Sequence, residues 1–436
     1  VPNKRISTGC GLGMQARYDI VIVGGGMVGA TLALGLRRAL PESRSIAVIE
    51  AVDLPEESSG TWQPSYDARS SALSAGAKDI FASLGLWDAI SQAAEPILDI
   101  HVSDRGHFGV ARMHAHEHGV PALGYVADNS WLGQVLLSDV KATQGIDLLC
   151  PVSVKQILPE VDDSTLTLDA PGGEQILNAS LVILADGGRS GLSRKLGIES
   201  DVAEYGQKAI VANITPAKHH NGVAYERFTD EGPMALLPRP GGDCALVWTM
   251  PEQLADERLE LVDEDFLAEL QDRFGYRVGR FKKVGERFAY PLALKTAREQ
   301  VRPGLVVLGN AAHSLHPVAG QGFNLSLRDV QTLISTLAEA IEQQKNPGSL
   351  EVLKSYQQQR EKDQQQTIGF SDQVVRLFSN NNVALAGARN FGLVAMDLLY
   401  PIKNRFARQA MGLSQGMNTG FQQNVSSHAR QGEQAQ

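Results

Sequence analysis

Residues 18–36 read YDIVIVGGGMVGATLALGL: an apolar run of strand length, three glycines, then small and apolar side chains at helical spacing. That pattern predicts strand, turn and helix. SIAVIE at 45–50 supplies a second strand that ends on an acid, so the two together predict the βαβ start of a doubly wound sheet. Gly24, Gly26 and Gly29 form GxGxxG, and Glu50 follows Gly29 by 21 positions. Gly24 permits the tight turn, Gly26 lets backbone amides approach a pyrophosphate, and Gly29 lets helix and sheet pack closely. Glu50 can accept hydrogen bonds from an adenosine ribose and would repel a 2′-phosphate. The turn therefore suits FAD or NAD as the bound dinucleotide, and not NADP.

Working outward, the periodicity predicts a helix over 77–90 and antiparallel strands over 98–127. It then predicts a helix over 130–142, strands at 147–158 and 164–169, and a buried strand at Leu181–Leu184. Alternation resumes over 205–250, broken by a Pro/Gly turn at 238–242. Val306–Leu308 gives one more strand, and long helical patterns cover 325–344 and 349–378. The expected architecture is α/β. Residues 18–97, 128–198 and 290–340 form a doubly wound dinucleotide-binding domain, and 98–127 with 199–289 form an inserted antiparallel-sheet substrate domain. Residues 341–412 form a C-terminal helical region, 1–17 a leader with Met14 as a candidate natural start, and 413–436 a polar tail with little to bury.

Composition narrows the function. The 436 residues carry 40 basic and 49 acidic side chains, a formal charge of −9, so no basic face is available for nucleic acid. An apolar content of 43% is enough for a large core and two or more domains. Cys10, Cys150 and Cys244 are odd in number and make no CxxC pair, which suits a reducing, cytoplasmic compartment. No apolar run reaches the roughly 18–20 residues of a spanning helix. His114, His116 and His118 in HAHEH would share one face of a strand, but their order does not match HExxH and a polar run suits solvent, so no metal site is expected.

A second glycine loop distinguishes the two dinucleotides. GNAAHSLHPVAGQGFNLSLRD at 309–329 lies between a strand and a helix, and Gly320 and Gly322 precede helix amides that could hold an anion or the polar edge of a ring. An NAD-dependent dehydrogenase, the alternative from another class, has no use for this loop. Three motifs in order, GGGMVG at 24–29 with Glu50, ADG at 185–187 with Ser190, and the loop at 309–324, make the chain similar to the class A flavoprotein monooxygenases, the family of para-hydroxybenzoate hydroxylase. HPVAGQGFNLSLRD and DARSSALS (67–74) resemble the ubiquinone-biosynthesis hydroxylase branch. So do VSDRGHFG (102–109), YERFTDEGPMALLP (225–238), CALVW (244–248) and YPLAL (290–294).

The resemblance implies an FAD-dependent monooxygenase in which NADPH or NADH reduces FAD and O2 adds to form a C4a-hydroperoxide. Its distal oxygen then attacks the aromatic ring of a polyprenyl methoxyphenol in ubiquinone biosynthesis. Another ring hydroxylase of the same pathway would share these flavin motifs. By motif, Glu50 would bind the adenosine ribose, Gly26 would lie on the pyrophosphate, and Arg69 and Gln134 would hold other parts of FAD. Asp186 and Gly187 would belong to the motif shared between flavin and pyridine nucleotide, Asn310 would contact the ribityl chain, and Pro317, Gly320, Gln321 and Gly322 would face the flavin ring. Three positions depart from the family: Asn310 replaces a usual Asp, Ser193 a usual Arg, and Ser326 a usual Gly. Hydroxylation is faster on a phenolate, so a proton acceptor is expected near the ring hydroxyl; His316 and Tyr225 are the candidates.

A prenyl tail adds a physical demand. At ~0.8 kcal/mol per buried CH2, burying many isoprene units would approach the affinity ceiling of ~18–21 kcal/mol and hinder release. The tail is therefore expected to stay in a bilayer, with the protein peripheral on the inner membrane face beside other ubiquinone-biosynthesis proteins. Phe391–Arg408 (FGLVAMDLLYPIKNRFAR) is the candidate contact, and residues 389–436 carry five basic against two acidic side chains.

Overall fold

A computed structural model describes residues 5–7, 13–54, 69–106, 109–160, 163–316 and 320–378. Pro317, the candidate membrane segment 391–408 and the tail 413–436 lie outside the described residues.

Arg17–Val23 forms the predicted first strand and runs parallel to Ile46–Ile49 on one side and to Gly173–Leu184 on the other. Ile146–Leu149 extends the parallel sheet beyond Ile46–Ile49, and Leu305–Val307 pairs in parallel with the far end of Gly173–Leu184. The near half of that long strand instead pairs antiparallel with Ser164–Ala170. From Ile20 to Val23 the first strand is apolar without alternation because both of its faces are covered there. Ile20 and Ile22 pack with the helices Met27–Ala39 and Gln321–Glu342, whereas Tyr18, Val21 and Val23 pack with Leu166, Leu168 and Leu177. Gly35 lets the two helices meet: a Cβ there would lie 2.2 Å from Ile334 Cδ1.

A nine-stranded sheet carries the inserted part. It contains Ser200–Pro216, Val223–Phe228, Pro233–Pro238, Cys244–Pro251 and Phe288–Ala297, joined by the hairpin Asp99–Asp104 and Val110–His114. Alternation divides its side chains. Ile210, Leu236, Leu246 and Trp248 pack on one face with Phe266 and Phe274 of the helix Asp263–Phe274. Ala209, Val211, Ala224, Ala235, Leu237 and Val247 line a cavity on the other.

Several expected elements differ in the structure. The helix over 77–90 is two, Ala75–Ser83 and Trp87–Ser91, interrupted at Gly85 with φ +63°. The single strand at 147–158 splits into Ile146–Leu149 and Ser153–Pro159. The alternation over 98–127 does not stay in one sheet, because Gly124–Asp128 pairs with Ser70–Ser74 and Ala94–Ile97 in a separate three-stranded sheet. Residues 290–297, expected in the first domain, pair with Ser200–Pro216 in the nine-stranded sheet. Within the expected leader, Gly13–Gln15 pairs with Arg5–Ser7. The HAHEH histidines do not share a strand face: the strand ends at His114, which bonds Asp99 Oδ1 through Nδ1 at 2.7 Å, and Ala115–His118 form a 3-10 turn. No described helix is long and apolar enough to cross a membrane.

Candidate active site

The GxGxxG turn is built by steric necessity at two of its glycines. Gly24 has φ +111°, and a Cβ there would lie 2.6 Å from the Ala185 carbonyl oxygen. At Gly29 it would lie 1.9 Å from the Gly24 carbonyl oxygen. Gly26 is the N-cap of Met27–Ala39 and brings no side-chain cap bond, and the first turn holds no acid. The positive end of the helix therefore faces the cavity that Gly26, Met27 and Val28 line, as an anion site requires. Glu50 is buried at the end of its strand and accepts one bond at each oxygen, from the Gly25 amide at 2.7 Å and the Val52 amide at 2.8 Å. Each carboxylate oxygen keeps a further acceptor site for a ribose hydroxyl.

The loop expected to grip the other end of the dinucleotide converges on this turn. Gly309, at φ +66°, sits where a Cβ would lie 3.3 Å from the Val28 side chain. Asn310, in the 3-10 turn Gly309–Ala311, lines the same cavity as Gly26, together with Gly320, Gln321 and Gly322. Gly320 takes φ +61° as N-cap of Gln321–Glu342. Asn324 ties that helix start to the strand Ser70–Ser74: it accepts from the Ser74 amide at 2.9 Å and donates to the carbonyls of Ala72 at 2.8 Å and Gly320 at 2.7 Å. Asp186 closes the third motif on itself, accepting from the Gly188 amide at 2.8 Å, the Ser190 amide at 3.2 Å and the Ser190 hydroxyl, while Gly187 borders the cavity. A bare helix N-terminus and two glycine loops on one cavity, with the buried Glu50 carboxylate held against the Gly25 amide of the first loop, fit an FAD.

Behind the second loop lies a buried ionic network. His313 Nε2 meets Asp329 Oδ2 at 2.6 Å, and Asp329 Oδ1 accepts from Arg360 Nε at 2.6 Å and Gln364 Nε2 at 3.0 Å. Burial opposes the Asp329 charge, but His313 and Arg360 outweigh it and hold the carboxyl down at about 2. Asp363 joins Arg360 to Arg328, so the helices Gln321–Glu342 and Leu350–Phe378 are clamped against the loop.

The cavity has a volume of about 710 Å³ and runs from these loops to the apolar face of the nine-stranded sheet, where Ile100, Val102, Met113 and Phe228 complete its wall. The other sequence-derived site residues are placed as follows. Arg69 borders the cavity with its guanidinium 4.6 Å over the Tyr290 ring. Gln134 is exposed on the helix Asn129–Ala142 and forms no part of the cavity wall. Ser193 is half-buried and Arg194 exposed on the short helix Leu192–Lys195. His316 lines the cavity edge-on to Tyr205, with ring centroids 5.6 Å apart, and burial pushes it down to about 4, so its imidazole is neutral near pH 7.

Tyr225 borders the cavity, but its ring packs among the residues behind the sheet, 5.5 Å from Phe274 and 5.7 Å from His101. Burial raises its hydroxyl further from the range of a proton acceptor. The residue that faces the cavity is its neighbour Glu226, which the sequence reading passed over. The signal was present in AYERF: a strand pattern with an acid in phase with Ala224 and Phe228, on the side that packs toward the cavity.

This arrangement of fold and cavity defines an FAD-dependent aromatic-ring monooxygenase. The FAD binding domain family matches residues 17–371, and the chain belongs to it. It is similar to the ubiquinone hydroxylase UbiL of Rhodospirillum rubrum, 37% identical over 394 residues that cover 90% of this chain and 89% of the relative. It is also similar to the 3-demethoxyubiquinol 3-hydroxylase of Escherichia coli, 33% identical over 396 residues, covering 91% and 98% of the two chains. In fold it resembles the p-nitrophenol 4-monooxygenase PnpA of Pseudomonas putida, with a TM-score of 0.74 at 18% identity, covering 92% of this chain and 100% of that one. The family match and these relatives overturn the dehydrogenase alternative.

Proposed function

We propose that the chain hydroxylates the aromatic ring of a prenylated methoxyphenol in ubiquinone biosynthesis, with NADPH or NADH as electron donor and O2 as co-substrate. The observation that carries this reading is the single cavity shared by the GxGxxG turn, the 309–322 loop and an apolar sheet face. When bound, FAD supplies the two-electron chemistry that activates O2. The chain's residues supply position and dryness. Glu50 holds the adenosine ribose, and the amides that open Met27–Ala39 hold the pyrophosphate. Asn310 contacts the ribityl chain, Gly320, Gln321 and Gly322 face the flavin ring, and Arg69 holds another part of the cofactor. Ala209, Val211, Ala235, Leu237 and Val247 present hydrocarbon to the substrate ring and keep most of the wall beside the reacting atoms apolar.

The relatives' names support a ubiquinone-pathway ring as substrate, with the methoxyphenol carried from the sequence resemblance. The apolar and basic stretch at 391–408 supports a peripheral seat on an anionic membrane, where the prenyl tail stays in lipid and other enzymes of the pathway can hand on their products. The test is to purify the protein with FAD and supply NADPH, O2 and a 2-methoxyphenol bearing a short prenyl chain. Mass spectrometry should show one added oxygen on the ring; NADPH oxidation with no oxygenated product would refute the reading.

A further inference from the structure

Glu226 is the one acidic side chain on the wall of the cavity among the described residues. Strand pairing fixes its surroundings. Val223–Phe228 runs parallel to Asp99–Asp104 with Glu226 opposite Val102, and antiparallel to Pro233–Pro238 with Glu226 opposite Ala235. Both neighbours line the cavity, and so do Ala224 and Phe228 two positions either side. The carboxyl therefore projects from a hydrocarbon wall. Among the described residues no hydrogen-bond or ion-pair partner reaches it, and burial alone pushes it up to about 8. A carboxyl placed so would be costly to keep if the position served packing, since Gln or Leu would fill it without a charge to desolvate.

The charged and titratable groups around it are few. Arg227 and Tyr225 alternate to the other face, where the Arg227 Nε donates to the Arg273 carbonyl at 3.0 Å and the Tyr225 ring meets Phe274. From the adjoining strand, Asp104 stands opposite Phe228, one side-chain repeat along. Arg69, Arg189, Tyr290 and His316 border the rest of the cavity, and none of them contributes to the Glu226 shift.

We propose that the Glu226 carboxylate accepts the hydrogen bond, and then the proton, of the substrate's ring hydroxyl. This rests on the phenol-hydroxylation reading above. In the step, the phenolic O–H breaks, an O–H forms on Glu226, and the electron pair stays on the phenolate oxygen, so the cavity keeps one negative charge throughout. That charge activates the ring at the carbons ortho and para to the oxygen. With Glu226 near 8, about one molecule in ten carries the carboxylate at neutral pH, and its basicity sits close to the working pH, as general-base catalysis requires. His316, at about 4, is too weak a base for the same task. The apolar wall raises the affinity of the carboxylate for the one donor the substrate brings, and so selects phenols over their methyl ethers.

The experiment uses FAD-loaded enzyme with a short-chain prenylated 2-methoxyphenol and the corresponding 1,2-dimethoxybenzene. In the wild type, kcat/KM should rise with pH through about 8, and flavin-fluorescence titration should show phenol affinity rising over the same range while ether affinity stays flat. Glu226→Gln should keep its FAD absorbance, lose both pH dependences, and fall about 100-fold or more in kcat/KM. Glu226→Asp should restore the rising limb in part. Unchanged pH profiles and phenol preference in Glu226→Gln would overturn the proposal. If the wild type hydroxylates no phenol, the functional reading fails, and the binding titration still judges Glu226 by itself.

Discussion

Replacing Glu226 by Gln should change how stability depends on pH, in a direction and size set by the cavity wall. The folded carboxyl titrates at about 8 against an ordinary value of 4.5, because burial among Val102, Ala235 and their neighbours penalises its charge. Below the ordinary value both folded and unfolded chains hold the proton, and the neutral carboxyl is tolerated. Between the two values the unfolded chain releases the proton while the folded chain keeps it, so stability falls as pH rises. Above about 8 the folded carboxyl is ionised as well and the loss is complete. At about 1.4 kcal/mol per pH unit, the interval sets an upper limit on the order of 5 kcal/mol, and water entering the cavity brings the expected value to about 2–4 kcal/mol. The assay is urea unfolding of FAD-saturated wild type and Glu226→Gln at about pH 5 and about pH 9, taking the difference between the proteins so that every other titrating group cancels. The variant should gain about 2–4 kcal/mol on the wild type between the two pH values. A difference that stays constant to within ~0.5 kcal/mol would refute the claim that this carboxyl is held neutral.

Gly29→Ala places a methyl group 1.9 Å from the Gly24 carbonyl oxygen, so the turn must open, and the protein should purify without flavin absorbance. Asp329→Asn removes the buried carboxylate that the Arg360 guanidinium meets at 2.6 Å and that also pairs with His313, leaving Arg360 only Asp363, and should cost about 3–5 kcal/mol in urea unfolding; a loss below ~1 kcal/mol would show the network to be dispensable. Ala235→Phe fills the cavity opposite Glu226, and should lower affinity for a 2-methoxyphenol at least ~10-fold while FAD absorbance is retained. Equal loss of FAD would show that the flavin and phenol regions are not separate.

Much of the fold was legible because its signals are local. The first strand and its glycine turn, the helices Asn129–Ala142 and Leu350–Phe378, and the strand at 305–307 follow from runs and periods within a few residues. Sheet membership was harder to read. Nothing local in GYVAD says that Gly124–Asp128 leaves the hairpin strands to pair with Ser70–Ser74, since that choice depends on a partner some fifty residues away. The convergence of Gly309 on Val28 was anticipated from motif order, and the distance between them needed coordinates. At the substrate end, YERF offered a tyrosine and an acid side by side. Tyr225 stood beside His316 as a candidate proton acceptor, but period-two alternation puts its ring against Phe274 and turns the acid toward the cavity. The His313–Asp329–Arg360 cluster joins residues from a loop and two helices, and no spacing within one segment marks it.

The claim on which the rest depends is that the cavity holds FAD at its loop end and a phenol at its sheet end, close enough for oxygen to pass from one to the other. Turnover of a prenylated 2-methoxyphenol under isotopically heavy O2 in ordinary water tests it directly. The account predicts that the new ring oxygen carries the heavy label in every product molecule; a product whose added oxygen comes from water would contradict it.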